Sequence, residues 1–517
     1  MTGTPPTTPV RSRRAPAALA GAVGAAVALG IGELVAGFAS SWASPVESVA
    51  LDVIDRVPLG VERFAIETFG HNDKLVLIIG VVVTSLLLGT VLGVLARRRP
   101  LPAAAGFAVF ALIGVAASVA RPGAGITAGL PSLVAGTAGA ATLLTLVPRA
   151  PGGHPATTDP ARTTDRRRFL VLVTAGTAVA AAATASGRAL RSRFSAAESR
   201  AAVRLPAAAR PVPPVPAGVT VGVDGVAPFV TPNADFYRVD TALIVPQVRT
   251  EDWELQVRGL VDEPLRLTFA ELLRRDLVEA DITMTCVSNP VGGDLVGNAR
   301  WLGVPVRDLL EEAGARRGDA DQLVGRSTDG YTCGFPLASA YDRDCLVAVG
   351  MNGEPLPLRH GFPARLVTPG LFGYIGSTKW LTELEVTTFA AFDQYWVRRG
   401  YADRAPVKTM TRIDTPRSAE QVEAGPVAVG GVAWAQTRGI DAVEVRVDDG
   451  DFVPAQLADA QGTDTWRQWR FDWDATPGRH TLTARAVDGT GETQTDQRRD
   501  VVPDGASGWM SLVVLVT

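Results

Sequence analysis

The chain has 517 residues, enough for two to four domains, and a net charge of −3, which gives no reason to expect a nucleic-acid partner. Its three cysteines, Cys286, Cys333 and Cys345, are too few for a disulfide scaffold or a four-cysteine zinc or iron–sulfur site. Its four histidines, His71, His154, His360 and His480, are not placed to pair on facing membrane helices, which argues against a transmembrane b-type haem.

The first 190 residues are mostly Ala, Val, Leu and Gly. Apolar runs at 15–39, 75–96, 101–120 and 125–147 are each near the ~20 residues that a spanning helix needs, so residues 1–164 are expected to form a four-span transmembrane region. Glu33 interrupts the first run; no role is assigned to it. Between the first two runs, residues 45–72 carry Glu47, Asp52, Asp55, Glu62 and Glu67 among apolar positions, the pattern of an amphipathic helix lying on a surface. Arg11, Arg13 and Arg14, then 97–99, then Arg149, Arg162 and 166–168 flank the runs on one side. The positive-inside rule puts that side, and the N-terminus, in the cytoplasm.

A fifth apolar run follows Arg166-Arg167-Arg168-Phe169-Leu170 and continues to Gly187. Paired arginines before a weakly hydrophobic, alanine-rich segment look like a twin-arginine export signal; the plainer alternative is the basic flank of a fifth span. Either sends the chain beyond Arg188 to the extracytoplasmic side, and the segment is expected to stay as an anchor. Residues 188–204 are expected to be helical. Pro206, Pro211, Pro213, Pro214 and Pro216 then predict a stiff polyproline-like linker at about 3 Å per residue, so that 165–218 is span plus linker.

From 219 to 405 short strands and helices mix without a βαβ rhythm, which reads as an α+β domain. Trp253–Gly259 alternates as a strand, and Thr268-Phe-Ala-Glu271 is a capping box. Asp281-Ile-Thr-Met-Thr-Cys286 predicts a strand that delivers Cys286 to its end, followed by a glycine-rich loop with Asn289 and Asn298. A helix from Val306 to Ala313 is opened by Pro305 and stopped by Gly314. A thiol beside a glycine loop is well placed to meet a ligand, although a lone cysteine is more often a small buried hydrophobe. No phosphate loop or dinucleotide motif is present in the sequence.

Three separated motifs change the weight given to Cys286. Met284-Thr-Cys-Val-Ser-Asn289, Gly297-Asn-Ala-Arg-Trp-Leu-Gly-Val304 and Met351-Asn-Gly-Glu-Pro-Leu-Pro-Leu-Arg-His-Gly-Phe-Pro-Ala-Arg365 resemble the sulfite oxidase family of molybdenum enzymes, in order from about Asn233 to the C-terminus. The resemblance implies a molybdopterin-bound molybdenum with Cys286 as its protein thiolate, a soft donor suited to such a metal. It implies that His360, Arg365 and Lys379 grip the cofactor, with Ser377 and Thr378 beside them and Asn289 near the metal. Asn233, Tyr237 and Arg238 match the family's N-terminal cofactor segment, and Tyr331 sits where the family has its active-site tyrosine. Animal sulfite oxidases follow the Cys-x-x-Asn with arginines that bind sulfite; here Pro290 and Val291 stand there. An anion must then be met by other cations, such as Arg238 or Arg300, or the substrate is not sulfite.

The expected activity is two-electron oxygen-atom transfer to a small sulfur compound, with sulfite oxidation first. Methionine-sulfoxide reduction within the same family is the alternative, and a non-catalytic cell-surface binding protein on this scaffold is the rival from another class. With no haem or flavin domain recognisable in the chain, a separate cytochrome or quinone-linked electron-transfer protein is expected. From 406 to 517 the pattern turns all-β: Val443, Val445 and Val447 alternate, Asp449-Gly450 marks a hairpin, and Trp469, Phe471 and Trp473 share a face. That predicts an immunoglobulin-like sandwich, similar to the family's C-terminal dimerisation domain, and hence a homodimer.

Overall fold

A computed structural model describes residues 14–69, 72–121, 124–151 and 160–517; Arg11, Arg13, His71 and His154 lie outside them. The chain divides into two compact units, Met1–Ser195 and Ala196–Thr517.

The first unit is helical: α1 Ala15–Ala36, α2 Pro45–Arg56, α3 Leu59–Phe69, α4 Asp73–Ala96, α5 Pro100–Val119, α6 Leu130–Leu146 and α7 Pro160–Ser192. Five segments, based on α1, α4, α5, α6 and α7, are long and apolar enough to cross a membrane. Small residues let α1 approach its neighbours backbone to backbone. A Cβ at Gly21 would overlap the Gly89 carbonyl and come within 2.7 Å of the Gly93 backbone, so α1 and α4 close only around glycine. The acidic stretch forms two helices, not one. Pro58 forces Val57 to extended geometry (ψ 137°), which ends α2. Ser44 caps α2 reciprocally with Glu47, and Glu47 also takes a 2.7 Å ion pair from Arg191 at the end of α7. The helix expected over 188–204 is broken: α7 stops at Ser192, and only the short helix Ala197–Ala202 follows.

In the second unit the strands are, in chain order, β1 Glu254–Gly259, β2 Leu265–Thr268, β3 Val278–Thr285, β4 Val296–Pro305, β5 Gln322–Ser327, β6 Thr332–Pro336, β7 Leu346–Met351, β8 Glu354–Pro355, β9 Arg365–Val367, β10 Ser377–Thr378 and β11 Leu381–Thr387. One sheet runs β2-β1-β11-β5-β6 and the other β10-β9-β7-β4-β3, with β8 attached to β7. β3 and β4 pair antiparallel with Asp281 opposite Arg300 and Ala280 opposite Trp301. This register decides which side chains share a face. Trp301, Phe335 and Phe362 are fully buried.

The segment read as a linker does not stand free. Ala209 N donates to Leu277 O, Glu279 N to Arg210 O and Val212 N to the Glu279 carboxylate, so the proline stretch lies along the outer edge of β3. An unpaired strand edge has backbone groups to satisfy, and extended proline-rich chain supplies them without forming a full ladder. The unit accordingly begins at Ala196, not at 219.

The C-terminal strands are β12 Met410–Thr415, β13 Gln421–Val422, β14 Gly425–Trp434, β15 Ile440–Val447, β16 Val453–Pro454, β17 Gln456–Leu457, β18 Arg467–Ala475, β19 Gly478–Asp488 and β20 Met510–Val516. They form two sheets, β12-β14-β18-β17 and β13-β20-β19-β15-β16, with Trp469 and Trp473 buried between alternating valines and alanines. The sandwich shares a core with the preceding domain: Met410, Val432, Trp434 and Trp466 bury into the α+β cluster. It also touches the strand of the key thiol. Trp466 N donates to Thr283 Oγ1 at 2.7 Å, and Gln436 Nε2 to Thr283 O at 2.8 Å.

Candidate active site

β3 carries the chain into the core and ends one residue before Cys286, which is 7% exposed. Cys286 N donates to Leu295 O, Asn289 N returns to Cys286 O, and the Asn289 side chain accepts from Leu295 N at 2.9 Å. Asn289 therefore braces the loop that holds the thiol. Burial raises the Cys286 pKa, while the Ser288 amide and hydroxyl and the Lys379 ammonium act in the opposite direction.

On the same sheet, Arg365 opens β9 at 3% exposure. Its guanidinium lies 5.0 Å from the Trp301 ring centre, Nη1 donates to His360 O at 3.2 Å, and Nη2 approaches Met284 Sδ at 3.6 Å. No carboxylate faces it among the described residues, its Nε has no partner, and burial depresses its pKa to about 10. His360 is fully buried; its Nε2 meets Asn233 O at 3.1 Å and its Nδ1 has no partner among the described residues. Burial, then Lys379 and Arg365, push its pKa down to about 3, so the ring is neutral. Gly361, with φ at +109°, turns the chain between them; a Cβ there would lie 3.0 Å from Lys379 Cα and 3.1 Å from Arg365 Cβ.

A buried cation with an orphaned donor, beside a neutral imidazole with an orphaned nitrogen, is costly unless an anion with acceptor atoms completes it. The phosphate and ring nitrogens of a molybdopterin have that chemistry, and a buried cysteine thiol at the same sheet end suits its metal. The residues present fit the group.

The other expected residues divide. The Tyr237 ring stacks on Phe236 at 5.1 Å. A Cβ added at Gly373 would be 3.8 Å from both its hydroxyl and Thr285 O, which puts that hydroxyl by the strand end that leads to Cys286. Asn233 spends its amide on Met351 O and Glu354 and supports His360 through its backbone carbonyl. Ser377 and Thr378 are buried in β10, and the Thr378 hydroxyl is turned to Gly325 O. Tyr331 donates its hydroxyl to Tyr374 O at 2.8 Å; its pKa is pushed up by burial and then by the nearby thiols Cys333 and Cys286. Lys379 and Arg238 meet on one carboxylate, Asp240, at 3.0 and 2.9 Å.

Arg300 is a correction. Side chains alternate along β4, so the residue before Trp301 points to the opposite face from Arg365. There Arg300 holds Asp281 with two 2.8 Å bonds and Pro213 O with a third. It serves the edge of the sheet and is not part of this site. Asp240 and Ser288 were missed. Asp240 stands two residues from Arg238, a visible extended-chain pairing, but nothing local announces Lys379 as its other partner. Cys333 and Cys345 are separate buried thiols.

Residues 242–396 match the family described as oxidoreductase molybdopterin binding domain, and residues 410–484 match bacterial Ig domain. The chain is 35% identical over 149 residues to the uncharacterized oxidoreductase YuiH of Bacillus subtilis, covering 29% of this chain and 72% of that protein. It is 29% identical over 319 residues to mitochondrial sulfite oxidase of Homo sapiens, covering 52% of this chain and 58% of that one. The chain belongs to the sulfite oxidase family. Its molybdopterin-binding domain is followed by an immunoglobulin-like one. It spans little more than half the length of the mammalian sulfite oxidases it matches. The nitrate reductase of Spinacia oleracea is 30% identical over 178 residues, 29% of this chain and 19% of that protein. The sulfane dehydrogenase SoxCD of Paracoccus pantotrophus has the same fold, with a TM-score of 0.50 at 23% identity over 57% of this chain and 85% of that one.

Proposed function

We propose that this sulfite oxidase family member transfers an oxygen atom to a small sulfur compound, with sulfite oxidation first: sulfite and water give sulfate, two protons and two electrons. The observation that carries the reading is the uncompensated Arg365 guanidinium beside His360 Nδ1, on the sheet that ends at Cys286. Cys286 would be the metal's thiolate; Arg365, His360 and Lys379 would hold the cofactor's anionic part. When bound, molybdenum supplies the two-electron oxygen transfer by cycling between Mo(VI) and Mo(IV). This chain's residues would orient it and exclude water from the thiol, with the Tyr237 ring close enough to feel Cys286 and Arg365. Tyr331 would contribute a hydroxyl only after leaving Tyr374 O.

Sulfoxide reduction is the second reading, and the removal of Arg300 from the site favours it. With Pro290 and Val291 after Asn289, fewer cations face an anion and a neutral oxygen acceptor is better served. In both readings the catalytic unit is membrane-anchored and extracytoplasmic and dimerises through the C-terminal sandwich; a separate electron-transfer protein takes up its electrons in sulfite oxidation and supplies them in sulfoxide reduction.

Molybdenum analysis of the purified protein, with sulfite oxidation and methionine-sulfoxide reduction assayed on one preparation, tests this. Cys286→Ser should keep the fold and lose turnover, because a hydroxyl poorly replaces a thiolate at a soft metal. Retained turnover in that variant would remove Cys286 from the metal.

A further inference from the structure

Asp240 sits at the junction of two cations that come from distant parts of the chain. Its side chain is 7% exposed, and its Oδ2 accepts both Arg238 Nε at 2.9 Å and Lys379 Nζ at 3.0 Å. Arg238 Nη2 reaches the other oxygen at 3.4 Å. Lys379 lies beside Gly361 with Arg365 and acts electrostatically on both His360 and the Cys286 thiol, so the triad stands between the cofactor-holding imidazole and the thiol. Asp329 is close enough to feel Asp240 as a like charge, added to the larger effect of its own burial, and it caps the Tyr331 amide at 3.1 Å. The contrast with Arg365 is what matters. Arg365 has no carboxylate among the described residues, whereas the Arg238–Lys379 pair is offset by one.

Resting on the reading of this site as the oxygen-transfer centre, we propose that Asp240 sets its charge preference. By offsetting Arg238 and Lys379 it makes the site a weak binder of doubly charged oxyanions and a better one of singly charged or neutral sulfur compounds. An anion that approaches Arg238 meets the Asp240 charge at close range, and a dianion is repelled twice as strongly as a monoanion of the same size. Sulfate, the dianionic product of sulfite oxidation, is then released readily, and the arginine still orients a less charged substrate.

The test is calorimetric titration of sodium sulfate and sodium nitrate into the purified full-length protein at constant ionic strength. In Asp240→Asn the site gains one net positive charge. Sulfate should bind at least tenfold tighter and nitrate about threefold tighter, because the energetic effect on a dianion is double. Unchanged or weaker sulfate binding, or equal gains for both anions, would overturn the proposal. Arg238→Gln works in the opposite direction and covers the case in which Asp240→Asn does not fold. It should weaken sulfate about tenfold, and an effect under twofold would show that anions do not meet this triad. Molybdenum content of the wild-type protein, measured alongside, judges the underlying reading separately, since sulfate binding needs no turnover.

Discussion

Arg365 shows how a single residue can work against the cofactor-free protein. A guanidinium at 3% exposure, with Nε unpartnered and no carboxylate beside it among the described residues, carries a desolvation cost that ordinary ion pairs offset. Arg365→Met should leave the melting temperature of the cofactor-free protein equal or higher. It should lower cofactor content at least tenfold, since a charge-assisted hydrogen bond is worth about 1.5–3 kcal/mol. A destabilised variant with full cofactor would mean that Arg365 is structural. Lys379 gives a pH dependence. Burial depresses its pKa to about 8, with Asp240 opposing that shift, so its charge is complete below that value and lost as pH rises through it. Sulfate affinity of the cofactor-free protein should fall across pH 8, and Lys379→Arg should abolish that step; an unchanged step would assign it to another group. At this scale the sequence was readable where a motif kept its residues together. Within Met284–Asn289 the Asn289 amide bonds Cys286 O, and within His360–Arg365 the guanidinium bonds His360 O. It was silent where the partner lies 139 positions away, as Lys379 does from Asp240.

Single elements explain what the sequence misassigned. Arg300 enters as a substitute cation because Pro290 and Val291 stand where the family has sulfite-binding arginines. The strand period of two separates it from Trp301 and turns it to Asp281, whose side chain is 3% exposed. Arg300→Met should leave the KM for a sulfur substrate within twofold. It should destabilise the unit by on the order of 3 kcal/mol, because Asp281 would be buried beside little more than Gln461. Parallel kinetics and urea melts check this, and a KM raised tenfold with stability intact would return Arg300 to the substrate. The proline stretch failed for a related reason. Composition predicts stiffness and extension correctly, but it does not say whether an extended chain faces solvent or a strand edge. Here Val278 and Glu279 of β3 supply that edge. The elements set by local chemistry were legible. Thr268 caps with Glu271, Gly314 ends its helix at φ +64°, and alternating valines make β15.

At the scale of the whole chain, the proposed membrane anchoring is tested through orientation. Hydropathy alone allows the five spans, since each segment reaches a mean hydropathy of 1.6 or more over its best window. Orientation rests on arginines, and the pair that matters most precedes α7's apolar stretch. Arg166 and Arg167 do two jobs in the competing readings: as a twin-arginine signal they are read by identity, and as a topogenic flank they are read by charge. Lysine keeps charge and removes identity, so Arg166→Lys with Arg167→Lys separates the two. If export of an already folded unit carries the domain across, the double variant should leave it inside the cell. It would be inaccessible to a membrane-impermeant biotinylation reagent but would still bind molybdenum, because the cofactor residues are untouched. If the pair is a plain basic flank, surface labelling should equal wild type, and the signal reading falls. Replacing both by Gln is the complementary arm. It removes charge and identity together, so it should block export under either reading, and normal labelling there would place orientation in Arg149 or the basic run at 97–99 instead.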